Sequence, residues 1–178
     1  MTSTPTRSRS LTHRWPTLAG VLFAAATAYD LATGVDLAQI VAASALIYLG
    51  AAALGRQSTA WPLFLGTFVV ITLAKIAGFD GTVVLLAVAV PLAIYAVVKR
   101  RDITAQGLGV LAFGAVALTA LVVNEQLGAY LVAAGLLGHT AWDIYHFRVD
   151  RVVARSMAEF CMVLDTLLAL AIIVVELT

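Results

Sequence analysis

His139, Asp143 and His146 stand at i, i+4 and i+7 in a stretch that is otherwise apolar enough to lie in a bilayer. On a helix, that spacing puts all three on one stripe. Ionisable groups at membrane depth are costly to place, so by default they mark a site. Cys161 and Asp165 form a second polar pair, at i and i+4, in the next apolar segment. Histidine, carboxylate and thiolate are the usual ligands of zinc or iron, and i, i+4 spacing offers two donors from one helix face. A divalent metal (Zn or Fe) on His139, Asp143, His146 and Asp165 would activate water for hydrolysis, with a spare carboxylate as base. Without a metal, the same residues relay protons, as in pumps and transporters. The third reading is structural: His139 bonds Asp165 and fixes how two helices pack. The His-x3-Asp-x2-His spacing is no zincin signature, and HExxH is absent from the segment.

The elements that position these residues follow from composition. Of 178 residues, 62% are hydrophobic and 12% charged, and mean hydropathy is +0.99. A water-soluble domain of this size needs more charged surface than that. The formal net charge of +1 and the absence of a dense basic tract exclude nucleic acid as a partner. The single cysteine, Cys161, excludes an intrachain disulfide and a CxxC motif.

A membrane span needs about 20 predominantly apolar residues. That rule predicts an all-α, polytopic membrane protein of about seven transmembrane helices, over residues 15–31, 35–54, 60–77, 82–98, 104–123, 128–147 and 153–175. Residues 1–14 read as a flexible basic tail, and 15–178 as one bundle. Trp15-Pro16 and Trp61-Pro62 open two of the spans with an interfacial aromatic and a first-turn proline. Gly34, Gly55, Gly78, Gly81 and Gly128 punctuate the turns. Pro91 is expected to kink the fourth span.

Basic residues set the orientation. Arg7, Arg9, Arg14, Arg56, Lys99, Arg100, Arg101, Arg148, Arg151 and Arg155 are ten of the eleven Lys and Arg. All fall on one side of a seven-span arrangement, which predicts a cytoplasmic N-terminus and an external C-terminus. Lys75 falls on the other side with Asp30, Asp36, Asp80, Glu125 and Glu176, where it snorkels or pairs with Asp30 or Asp80. Arg7 to Arg14 with the following apolar run faintly resembles a signal peptide, but so many spans go with a retained first helix.

The sixth and seventh spans form an antiparallel hairpin. At 1.5 Å per residue, His139 lies about 12 Å from the cytoplasmic boundary, Asp143 about 6 Å, and His146 near the interface. Counted back along the seventh span, Asp165 lies level with His139 and Cys161 with Asp143. Glu159 points away from that seam, toward another neighbour or Arg155. Trp142 and Tyr145 flank the stripe, where interfacial anchoring is expected.

Seven-span metal-dependent hydrolases of the alkaline ceramidase and progestin–adipoQ receptor superfamily also gather histidines and an aspartate near one leaflet. Their HxxxH in the final helix and their early Ser and His positions are absent from this chain, so no membership follows. The expectation is a small multi-pass plasma (inner) membrane protein, of bacterial type, with a His/Asp site near the cytoplasmic leaflet. His139, Asp143 and Asp165 are its catalytic candidates, for metal-dependent or acid–base hydrolysis of a lipid-like substrate. Proton- or cation-coupled transport and a non-catalytic structural or accessory role are the alternatives. Membrane lipids are the expected partners, and glycine-rich faces suit a homo-oligomer.

Overall fold

The computed structural model describes residues 14–29 and 34–178. Arg7, Arg9, Asp30 and all of the predicted tail (1–14) except Arg14 lie outside the described residues. Among the described residues there are seven α-helices and no strand. They are α1 (Trp15–Tyr29), α2 (Ala38–Leu54), α3 (Ala60–Ile76), α4 (Gly81–Val98), α5 (Thr104–Val122), α6 (Glu125–Val149) and α7 (Arg155–Leu177). Short 3-10 turns, Gly34–Leu37 and Gln57–Thr59, lead into α2 and α3. Each boundary falls within about three residues of its expected place. The starts of α2 and α6 shift most, by three residues each, and the second has a clear cause. The Asn124 side chain accepts from the Leu127 backbone N–H at 2.9 Å, and this N-cap begins the helix before Gly128.

Five stretches are long and apolar enough to cross a membrane: Gly34–Leu54, Gln57–Ile76, Gly81–Val98, Thr104–Val122 and Arg155–Leu177. α1 is apolar but has only 15 residues. α6 has the length, at 25 residues, but carries the polar stripe. Leu22, Leu65, Ile76, Val98, Leu111 and Val122 all expose more than half their surface. Apolar side chains spread over the outside in this way suit a lipid surround rather than water.

The core is organised around α2. Most of its residues from Ala38 to Ala53 are buried, on every face, as a helix apolar all round must be. It packs against α3, α4, α5 and, more sparsely, α6. α6 and α7 form the most extensive helix pair, and α1 packs on α7. Two close approaches need glycine. A Cβ at Gly128 would lie 2.5 Å from the Ala120 carbonyl oxygen, and one at Gly34 would lie 2.6 Å from the Ala129 Cβ. These contacts set α5 against α6 and the entry to α2 against α6. α4 continues as helix through Pro91.

The α6–α7 turn is tightly made. Asp150 ends α6 in the left-handed region at φ 50°, and its N–H bonds the His146 carbonyl at 2.9 Å. Val152 follows at φ 73°, a conformation that costs a β-branched residue about 1–3 kcal/mol. Arg155 Nε donates to the Phe147 carbonyl across the turn at 2.9 Å, and the guanidinium lies 4.9 Å from the Phe147 ring centroid. At the start of α5, the Asp102 carboxylate accepts from the Thr104 N–H at 3.1 Å, which holds it below the usual carboxylate range. This turn leads into the helix that carries Gln106.

Candidate functional site

His139, Asp143 and Asp165 meet where α6 and α7 face each other, and none has any exposed surface. His139 Nδ1 lies 2.9 Å from Asp165 Oδ2, in hydrogen-bonding geometry, and 3.3 Å from Asp143 Oδ2. One donor atom from each of the three lies within 4.8 Å of the other two. One imidazole therefore stands between two carboxylates. The register comes from two regular helices and a short, closed turn, so equal rise along each strand of the hairpin brings His139 level with Asp165. The next residue along each helix repeats the pairing, with the Thr140 and Thr166 hydroxyls 3.2 Å apart.

A fourth residue, absent from the sequence expectations, completes the cluster. The Tyr48 hydroxyl on α2 donates to Asp143 Oδ1 at 2.7 Å, and Tyr48 is itself buried. It orients the Asp143 carboxylate and leaves Oδ2 directed to the histidine side. Three buried atoms then have no hydrogen-bond partner: His139 Nε2, Asp143 Oδ2 and Asp165 Oδ1. The rings of Tyr48 and Phe113 sit edge-on to His139, with centroids 5.3 and 5.1 Å away.

His146 does not join the three. Its Nδ1 faces the Trp142 carbonyl at 2.9 Å, and its Nε2 faces Gln106 Nε2 at 3.4 Å. A carbonyl only accepts and an amide N–H₂ only donates, so the neutral ring carries its proton on Nδ1 and both nitrogens are engaged. It packs between Trp142 and Tyr48, with ring centroids 4.9 and 4.8 Å away, and is 3% exposed. It stands in the last turn of α6, with aromatic rings closed over it rather than open to its surroundings.

Cys161 is also turned aside. Its Sγ–H donates to Met157 Sδ at 3.6 Å. Glu159 accepts from the Thr17 hydroxyl of α1, which answers where that carboxylate points. Trp142 is partly buried against the core, while Tyr145 is exposed. Lys75 and Asp80 line one polar cavity of about 140 Å³ with Asp36 and Gln39, without an ion pair between them among the described residues.

The chemistry open to the triad follows from charge. With a neutral imidazole and two ionised carboxylates, three fully buried residues carry a formal charge of −2. An uncompensated buried charge costs several kcal/mol, so the arrangement calls for cations, either protons or a metal ion. Two carboxylate oxygens of the cluster, Asp143 Oδ2 and Asp165 Oδ1, accept no hydrogen bond from the described residues. An apolar groove of about 530 Å³ between α2, α4 and α5 is lined by Leu49, Leu86, Val110 and Leu118 and by none of the three.

No protein-family model, curated protein or solved structure matches this chain.

Proposed function

We propose that this chain is a seven-span inner-membrane protein that binds a cation at His139, Asp143 and Asp165 and couples that binding to transport. The observation that carries the reading is the triad itself, an imidazole between two carboxylates at zero exposure with acceptor atoms left open. Occluded carboxylate–histidine sites suit ions, which are small enough to enter a packed bundle through modest helix movements. The seven-span topology, with a cytoplasmic N-terminus and an external C-terminus, is supported by seven helices and by the one-sided distribution of ten basic residues. On that topology, the triad lies in the cytoplasmic half of α6 and α7.

Acid–base hydrolysis of a lipid-like substrate is the second reading. It rests on the same three residues, with one carboxylate as base and His139 as its partner. It also requires a cleft wide enough for a lipid headgroup to reach them, and the complete burial of all three weighs against it.

Reconstitution tests the proposal. Proteoliposomes carrying wild-type protein and an internal pH or cation reporter should show gradient-driven flux that an ionophore collapses. The same vesicles with Asp165→Asn should show flux at the protein-free level. Wild-type vesicles that show no cation-dependent flux under any imposed gradient would sink the transport reading.

A further inference from the structure

We propose that the cation is a divalent first-row transition metal, held by His139 Nδ1 and by carboxylate oxygens of Asp143 and Asp165. This rests on the cation-binding reading above and names the ligand of that site.

Four observations carry it. The first is charge: with both carboxylates ionised and the imidazole neutral the site would sum to −2, which a divalent ion balances as two protons would, whereas a monovalent metal ion leaves −1 uncompensated in an apolar core. The second is donor type. One nitrogen and two oxygens suit Mn²⁺, Fe²⁺, Co²⁺ or Zn²⁺, whereas Mg²⁺ and Ca²⁺ favour all-oxygen sites and Cu⁺ favours sulfur. The one nearby thiol, Cys161, is committed to Met157.

The third is spacing. Donors bound at about 2.0–2.1 Å in a tetrahedral site stand about 3.3 Å apart. His139 Nδ1 lies 3.3 Å from Asp143 Oδ2 and 2.9 Å from Asp165 Oδ2, and donors of all three residues lie within 4.8 Å of one another, so side-chain rotation that draws the two carboxylates together forms the polyhedron. The fourth is the pair of buried, unpartnered carboxylate oxygens, Asp143 Oδ2 and Asp165 Oδ1. Asp143 Oδ2 is directed at the imidazole, and Tyr48 already occupies the opposite oxygen. An outer partner of this kind holds a ligating carboxylate in place. His139 would bind in the tautomer with its proton on Nε2, among the Tyr48 and Phe113 rings.

The test uses the full chain in detergent, purified without chelators. Titration with Co²⁺, read by its visible d–d absorption and by equilibrium dialysis, should give one ion per chain. Zn²⁺ and Mn²⁺ should compete, and Mg²⁺ and Ca²⁺ should not. His139→Gln and Asp165→Asn should each weaken Co²⁺ binding by more than the ~10–100-fold that an outer-partner change costs, and Tyr48→Phe should fall within that range. Cys161→Ser should bind as wild type does. Monodisperse elution of each variant on size exclusion shows that it is folded.

Wild-type protein that takes up no Co²⁺ overturns the inference, and that result needs no variant. Binding that survives in folded Asp165→Asn also overturns it, because the ion then sits elsewhere. The two readings fail separately. If no metal binds but proton-driven flux persists and is lost in Asp165→Asn, the metal assignment falls and coupling stands. If Co²⁺ binds as described but vesicles show no flux, the site stands and transport falls.

Discussion

The Tyr48 hydroxyl bonds the Asp143 carboxylate across the α2–α6 contact, at 2.7 Å and 95 positions apart in sequence. Among the described residues it is the one side-chain hydrogen bond between α2 and the hairpin that holds the other members of the cluster.

Tyr48→Phe removes the donor and strands Asp143 Oδ1 in a buried site. Losing a buried partner of this kind costs about 1–3 kcal/mol. The variant should unfold at lower temperature or lower denaturant than wild type. Tyr48→Ala should lose more, about 3–5 kcal/mol by analogy with other large aromatic truncations, because it also opens a cavity beside His139. Detergent-phase unfolding curves for the two variants check both values.

Asp165→Asn should behave in the opposite way. The amide keeps the shape and still offers an oxygen to His139, but removes one buried negative charge. Two carboxylates sharing one buried imidazole repel each other, and neutralising one of them relieves that repulsion. Without added cation the variant should therefore melt no lower than wild type while losing flux. A clear drop in melting temperature would instead mark Asp165 as a packing residue.

Gly128→Val should disrupt the α5–α6 contact. A Cβ at this position meets the Ala120 carbonyl oxygen at 2.5 Å and a Val35 methyl at 2.8 Å, and backbone cannot move aside as a flexible side chain can. Overpacking of this kind costs about 1–3 kcal/mol. Gly107→Ala is the control, because nothing lies within 4 Å of a Cβ built there; it should hold or raise stability in the same assay.

Orientation is checked by cysteine labelling in a Cys161→Ser background. Arg151→Cys, in the exposed α6–α7 turn, should react with an impermeant thiol reagent only after the cells are opened. Thr178→Cys should react in intact cells. The reverse pattern would invert the topology and move the triad to the external half of the bundle.

The hairpin was legible because its logic is local. Two regular helices joined by a short turn fix their own register, so counting along the chain was enough to set His139 beside Asp165. Helix ends were legible where the punctuation is chemical, as with Gly55, which closes α2 at φ 67°. What the sequence hid was non-local. Tyr48 stands in a helix apolar on every face, where periodicity does not distinguish one direction from another, and its partner lies in a distant segment. Gln106 was hidden for the same reason. His146 stands in the last turn of α6, as counted, but distance from a boundary says nothing about which aromatic rings close over a side chain. Cys161 was counted to a plausible level, yet its thiol turns along its own helix to Met157.

The α6–α7 turn has a consequence for how anything enters or leaves. Arg155 clasps the Phe147 carbonyl at one end of the hairpin, and His139 clasps Asp165 further along. The imidazole and that carboxylate thus travel as one prefabricated piece. The α6–α7 hairpin holds the cluster on one side, and the buried central helix α2 closes the other through Tyr48 and the apolar residues around it. Any parting of α2 from the hairpin breaks the Tyr48–Asp143 bond, so on the transport reading that bond reports the opening of this side.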